Sequence, residues 1–425
     1  MKKKKIDCPK KAIKVRIYPN SEQTILLYKT FGCCRKVYNT FLELKQKKEP
    51  CPTESALKIT FPFMSEVDSI SLQQSRMRLK NAFDNFFKSL SDKRKGPIIG
   101  APTFKSKRNG HQSYKSVNVS DNIKIDFETR HIKLPKVGWV KFRDNRQFSS
   151  KIRSVTVSRD PSHRFYVSIL IDKTIPKTKV VPKAFLGIDM SLQHLVVDHM
   201  GDKTDYPRYF RKHEEKLAWE QRKLSRKQKG FKEQKSSHNY EKQKISVAKV
   251  HAKITDSRND FLQKLSTQIT NEYDVVCIET LNMKDMSQSL KLGKSVNDVG
   301  WGMFERMLEY KVLWKGKHLV KVPREFPSSK LCHVCGHKNR GLTLSDRTWV
   351  CPSCQTFHDR DINAALNIRD EGIGLFNSSQ KGTVGTTGTG LPVGQAYTQG
   401  DCVRPMHYND LVFKSDALSC VGNGR

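Results

Sequence analysis

Four cysteines, Cys332, Cys335, Cys351 and Cys354, stand in a Cys-x2-Cys-x15-Cys-x2-Cys spacing. That spacing folds two knuckles toward each other, so that four thiolates can surround one tetrahedral zinc ion. Gly336 after the second cysteine and Pro352-Ser353 inside the second pair supply the turns. With cysteine at all four positions no coordination site stays open, so the zinc is expected to be structural, not catalytic, and to fix the segment 328–358. The chain holds 11 cysteines. In a reducing compartment an odd number with two Cys-x-x-Cys pairs points to metal instead of disulfides, and the other seven are expected to be ordinary thiols.

Three acidic residues form a second constellation. Asp189 ends the apolar run Phe185-Leu-Gly-Ile and precedes a hairpin, Glu279 ends Val275-Val-Cys-Ile, and Asp361 lies in His358-Asp-Arg-Asp-Ile-Asn-Ala-Ala365, where a helix should start. Singly, a strand-end acid is often a solvated loop residue, and Asp361 would also serve as a helix N-cap. Together they suit phosphodiester hydrolysis, which uses two divalent ions about 3.5–4 Å apart, held by carboxylate oxygens. Asp189, Glu279 and Asp361 are therefore the candidate catalytic residues and magnesium ligands. Asp359 and Asp198 are rivals that the residues alone do not exclude.

The 425 residues carry 78 Lys and Arg against 42 Asp and Glu, a net charge of +36 spread along the chain. Solubility alone needs a charge of only about 2–8. A cation set against a nucleic-acid backbone releases a condensed counterion, so a polyanionic partner is the expectation. No apolar run approaches the roughly 18 residues of a bilayer span, which argues against a membrane role. Met1 and four lysines are not followed by the apolar segment of a secretory signal, so the protein is expected to stay in the cytosol. Between Arg211 and Lys253 stand 14 Lys and Arg against 5 Asp and Glu. Such a run is often a solvated helix face. In so basic a chain it is read as a phosphate-contacting helix pair, with Arg211, Lys212, Arg222, Lys223, Arg226 and Lys227 as contacts that add affinity without sequence choice. The stripe Trp301, Phe304, Leu308, Val312 has helical spacing and is read as core.

The elements that must position these residues follow from periodicity. Ile13, Val15 and Ile17 alternate in a strand ending at Pro19, and a helix capped by Ser21 follows. A second helix is expected over Leu72–Leu90. Residues 20–92 thus form a helical unit, inserted into a β-barrel or sandwich built from 1–19 and the short β-type runs of 93–181. A linker at 176–183 leads to an alternating α/β region: strands 185–189, 194–198, 274–279 and 318–322, a charged helical region 207–272, and helices 299–315 and 362–369. Residues 372–425, rich in Gly, Ser and Thr, are expected to be disordered.

Several motifs in this order resemble the TnpB family of transposon-encoded proteins, relatives of the small type V CRISPR effectors, from about residue 12 to 371. They are Ile17-Tyr-Pro, Arg35 to Asn39, Pro102-Thr-Phe-Lys105, Gly187-Ile-Asp189, Cys277-Ile-Glu-Thr-Leu-Asn-Met283, Tyr310-Lys311 leading to Phe326-Pro-Ser-Ser-Lys330, the cysteine knuckles, and His358 to Ala365. Met190-Ser191 departs from the family's commoner hydrophobic residue and glycine. The resemblance implies a multidomain α/β protein: a wedge β-barrel (1–19, 93–181) with a helical recognition insertion (20–92), a RuvC, RNase H-like nuclease (182–327, 359–371), and an inserted zinc-binding target-nucleic-acid module (328–358). It implies an RNA-guided DNA endonuclease with a guide RNA, a double-stranded DNA target beside a short flanking motif, catalytic Mg2+ and structural Zn2+. The competing readings are a cleavage-deficient RNA-guided repressor and a transposase-type protein that joins DNA ends. Oligomeric state is left open.

Overall fold

The computed structural model describes residues 10–381 apart from 92, 95, 174–180, 192, 229–236, 283–297 and 344. The lysine leader, most of the linker at 176–183 and the tail beyond 381 lie outside the described residues. The chain divides into two compact units between Asp172 and Lys173, and each is taken by itself.

The first unit runs β1 (Lys10–Tyr18), α1 (Ser21–Lys47), α2 (Glu54–Thr60), a 3-10 turn (Pro62–Glu66), α3 (Ser69–Leu90), β2 (Gln112–Val117), β3 (Lys124–Asp126), β4 (His131–Leu134), β5 (Gly138–Arg143), β6 (Ile152–Arg159) and β7 (Phe165–Asp172). Its strands form one antiparallel sheet in the order β2-β6-β7-β1-β5-β4-β3. β1 lies at the centre, with Ile13, Val15 and Ile17 buried as the alternation requires. β2 and β3 are the two edges, yet only residues 118–123 join them. A flat sheet would hold the edges about 29 Å apart, and that connection spans at most about 25 Å. The sheet therefore curls, and the barrel expected from sequence is a curved sheet without a ladder between its edges.

The helices fall between β1 and β2 in the chain but share the sheet's core: Leu27, Phe31, Val37 and Phe41 of α1 and Leu72 and Leu79 of α3 pack in one cluster with the strand residues. Two helix starts differ from the sequence reading. Asn20, not Ser21, caps α1, accepting from the Gln23 amide at 2.8 Å while the Gln23 side chain accepts from the Asn20 amide at 3.1 Å. That is a reciprocal capping box. α3 starts three residues before Leu72 because Asp68 accepts from the Ile70 and Ser71 amides. Asp68 also accepts from Ser116 Oγ at 2.6 Å, tying α3 to β2.

The second unit contains β8 (Phe185–Asp189), β9 (Val196–Asp198), β10 (Lys203–Thr204), α4 (Tyr209–Gln228), α5 (His238–Glu272), β11 (Val275–Glu279), α6 (Trp301–Lys315), β12 (His318–Val322), β13 (Thr348–Val350), β14 (Phe357–Asp359) and α7 (Arg360–Lys381). The main sheet has the order β10-β9-β8-β11-β12. β8, β11 and β12 run parallel, while β9 runs antiparallel to its neighbours β8 and β10. Parallel strands covered on both faces need near-continuous apolar runs, which Phe185-Leu-Gly-Ile and Val275-Val-Cys-Ile provide. Side chains alternate between faces. Leu186, Ile188, Val276 and Ile278 pack with Leu262 of α5 and Trp301, Phe304 and Leu308 of α6. Phe185, Val275 and Cys277 pack on the other face with Ile368 and Phe376 of α7. The Trp301 stripe is core, as its spacing suggests.

α7 differs most from expectation. It continues to Lys381, so residues 372–381 are helix where disorder was expected. Gly372 lies against Cys277, and a Cβ there would overlap the Cys277 side chain. Glycine in this helix marks close packing, a role its flexible composition conceals.

Candidate carboxylate site and cysteine cluster

Strand parity and one helix crossing set the carboxylates. Asp189 and Glu279 share the parity of Gly187 and Cys277, so both face α7 from the carboxyl ends of adjacent parallel strands, where Ile188 pairs with Ile278. α7 crosses that face antiparallel to β8: Phe376 meets Phe185 at 6.0 Å between ring centres, and Ala365 and Arg369 lie over Gly187. A Cβ at Gly187 would overlap the Ala365 carbonyl and the Arg369 side chain. The glycine thus lets the helix sit directly on the strand. Continuing in the same sense, the first turn of α7, with Asp361, falls at the strand end that carries Asp189.

The electrostatics agree with that placement. Asp189 is partly buried, and burial, then the charges of Asp361 and Glu279, push its carboxyl up to about 8, against Arg360 and the Met190 amide. Burial also raises Glu279, with Arg324 opposing. Acids held above their ordinary range at a strand end are costly without a cation, which is the environment a divalent metal site presents. The three carboxylates are less tightly drawn than the cysteines: among the described residues only the four thiols form a ligand group with all ligand atoms within 4.8 Å.

The rivals are occupied otherwise. Asp359 accepts from the Asp361 and Ile362 amides at 3.0 and 3.1 Å and from Lys203 at 2.7 Å. Burial works against its ionised form, but Lys203 and those amides hold its carboxyl below the ordinary range. Asp359 therefore caps α7 and leaves Asp361 free of that duty. Asp198 accepts from the Met200 and Asp202 amides, both at 2.9 Å, and shapes the β9–β10 turn. The sequence reading quoted Gly187 and Arg360 within motifs without giving either a role, and did not name Arg324 or Lys203. A glycine inside an apolar run was the available signal for the first.

The cysteine cluster is built from two matching knuckles. Gly336 donates to the Cys332 carbonyl and Gln355 to that of Cys351, both at 2.9 Å. Both turn residues take positive φ, 73° and 60°. Cys332 and Cys354, and Cys335 and Cys351, stand 3.6 Å apart between sulfurs. The edge of a tetrahedron with metal–sulfur bonds of about 2.3 Å is roughly 3.8 Å, so the thiols fit one metal ion. Hydrogen bonds from the Thr356 hydroxyl and amide pull Cys354 down to about 6, favouring a thiolate, whereas burial pushes Cys332 up to about 12. His358 Nε2 lies 3.1 Å from Cys332 Sγ. Asn363 and Asn367 of α7 donate to the Leu331 carbonyl at 2.7 and 2.6 Å, and Asn363 accepts from the His333 amide at 3.1 Å. The helix bearing Asp361 is stitched to the knuckles.

α4 and α5 pack as a pair through Leu217, Val250 and Ile254. Of the six expected contacts, Arg211, Lys212, Arg222 and Arg226 are exposed. Arg211 pairs with Glu214 at 3.2 Å, Lys223 lies 3.2 Å above the Trp219 ring, and Lys227 donates to Gln243 at 3.1 Å. No described helix is long and apolar enough to cross a membrane.

A mixed α/β sheet with acids at the ends of adjacent parallel strands, joined by one helix to a four-cysteine cluster, defines the class of molecule. Family comparisons narrow it. Residues 301–368 match a model described as the Cas12f1-like TNB domain, 160–290 match "Probable transposase" (OrfB of IS605), and 9–48 match a "Helix-turn-helix domain" of the same group, although here they form β1 and α1. A Streptomyces pristinaespiralis protein named "Putative RNA-guided DNA endonuclease" is 36% identical over 380 residues, 86% of this chain and 90% of its own. Escherichia coli K12 InsQ, which carries the same description, is 30% identical over 386 residues, 84% and 91% of the two chains. A Cas12f1–sgRNA–target DNA complex aligns with TM-score 0.49 and 14% identity, over 85% of this chain and 99% of that one. The chain belongs to the TnpB family of transposon-encoded proteins, to which these relatives and the OrfB model correspond.

Proposed function

We propose that the protein is an RNA-guided DNA endonuclease whose second unit is a RuvC-like, RNase H-like nuclease cutting with Asp189, Glu279 and Asp361. The observation that carries this reading is the parity of two adjacent parallel strands, which turns Asp189 and Glu279 toward the helix whose first turn bears Asp361. The names of the 36% and 30% identical relatives support the same activity.

In this reading the guide RNA pairs with one DNA strand, and the protein holds the heteroduplex by its shape and phosphates while itself reading only the short flanking motif. The exposed lysines and arginines of α4 supply backbone attraction. The curved sheet acts as the wedge and α1–α3 as the recognition helices. Asp189, Glu279 and Asp361 would hold Mg2+, which when bound supplies charge neutralisation and an activated water for phosphodiester hydrolysis. The chain's own contribution is to fix three carboxylates at one strand end, exclude bulk water with α7, and set Arg360 and Arg324 beside the acids. Cys332, Cys335, Cys351 and Cys354 would hold Zn2+ as a structural ion in the target-nucleic-acid module.

The test is cleavage by the purified protein with its copurified RNA. Sequencing that RNA defines a matching duplex, presented with a library of flanking motifs. Cutting that needs both the RNA and magnesium is the expected result. Intact DNA across the library, or cutting by the RNA-free protein, contradicts the reading.

A further inference from the structure

Two sequence motifs of the first unit, Arg35 to Asn39 and Pro102-Thr-Phe-Lys105, meet at one point. The Asn39 side chain clamps the Lys105 backbone from both sides, donating to its carbonyl at 3.0 Å and accepting from its amide at 2.8 Å. An amide that satisfies both groups of one residue fixes that residue's backbone, and with it the direction of the side chain. The Lys105 ammonium is thereby held 3.6 Å from the centre of the Tyr38 ring. Arg78 of α3 adds a second positive charge facing both Lys105 and Tyr38, its guanidinium donating to Ser113 Oγ at 3.2 Å.

Among the described residues Lys105 makes no ion pair. Asp68, the buried acid of this unit, spends its oxygens on Ile70, Ser71 and Ser116. Cys34, the other titratable group facing the lysine, is pushed up to about 12 by burial and stays a neutral thiol. Burial and Arg78 in turn bring Lys105 down to about 7. An ammonium fixed over a ring with no ion pair among the described residues, in the field of a second positive charge from Arg78, favours an anion beside it.

We infer that Lys105 and Arg78 form a preorganised seat for one backbone phosphodiester of the bound nucleic acid, with Asn39 and Tyr38 as positioning residues. Nucleic acid as the source of the phosphate rests on the function proposed above, while the seat itself rests on the geometry of Lys105, Asn39 and Tyr38. A phosphate oxygen there answers the Lys105 ammonium within the field of Arg78 and fixes register without reading sequence.

The experiment is a salt titration of binding by the full chain without magnesium, so that cleavage plays no part. The probes are a mixed-sequence single-stranded RNA and a mixed-sequence duplex DNA. Lys105→Ala is expected to reduce the slope of log affinity against log salt by about 0.9 on the duplex or about 0.7 on the single strand. The probe that responds names the strand whose phosphate is seated, and Lys105→Arg should restore the slope. A second readout does not depend on the alanine variant folding. Binding must return a proton to Lys105, so wild-type affinity should fall about tenfold between pH 7 and 8.5, and Lys105→Arg should remove that part of the fall. Slopes unchanged on both probes, or identical pH profiles for wild type and Lys105→Arg, overturn the proposal.

Discussion

The cysteine cluster and the carboxylate site meet the same helix and are built in opposite ways. The four cysteines come from two local turns, close to within 4.8 Å of one another and leave no ligand position open. The three acids come from two strands and a helix distant in the chain, stay further apart and repel one another, as the raised Asp189 carboxyl shows. A closed local cluster suits an ion that holds structure, and an open convergent one suits an ion that must meet substrate. α7 joins them, with Asn363 and Asn367 on the knuckles and Asp361 over the strand ends. The knuckles therefore act on the chemistry through the placement of that helix.

The largest effect should come from the open site. Asp189→Asn, Glu279→Gln and Asp361→Asn should each lower guided cleavage about a thousandfold, roughly 4 kcal/mol of barrier, while target binding stays within a few fold. A variant that cuts normally removes that acid from the site. At the closed site, Cys351→Ser should lose one zinc per chain by elemental analysis and open residues 331–358 to limited proteolysis. Cleavage should then fall by about 10–100-fold, an indirect loss carried by α7. Full cleavage without zinc would show that the two sites are not coupled.

The junction offers a smaller test. Gly187→Ala should cost about 1–3 kcal/mol in denaturant unfolding, because the new Cβ meets the Ala365 carbonyl and the Arg369 side chain. It should lower cleavage without touching a ligand, and an unchanged midpoint would mean that α7 does not press on β8. The smallest effect lies away from both sites. Lys311 is buried and donates to the Gln263 carbonyl, Ser266 Oγ and Thr267 Oγ1, each at 2.7 Å. Burial brings it down to about 8. With the unfolded lysine near 10.4, the unfolded chain binds more protons between those values. Stability should rise by about 2 kcal/mol from pH 8 to 10. Lys311→Met should flatten that part of the profile, and a profile unchanged in Lys311→Met would mean that Lys311 titrates normally.

The same contrast explains what could be read in the sequence. The cysteine spacing is a local signal and needs no fold, and the apolar runs ending at Asp189 and Glu279 mark strands by their own composition. Choosing Asp361 over Asp359 from the residues alone was not possible, because the cap is defined by amide directions that exist only once α7 has formed. The length of α7 was hidden because Gly372 lowers helix propensity locally, and its compensation against Cys277 comes from a strand far away in sequence. The barrel reading missed the open edges for a similar reason: hydrogen bonds between β2 and β3 are a tertiary property that alternation does not encode. The caps at Asn20 and Asp68 lie just outside the apolar stripes used to bound their helices.

The account rests on a divalent cation sitting among Asp189, Glu279 and Asp361. Anomalous diffraction from crystals of the full chain soaked in manganese measures this directly. The prediction is a manganese peak within coordination distance of all three carboxylates, lost in Asp189→Asn. A peak elsewhere, or one unchanged in that variant, would contradict it.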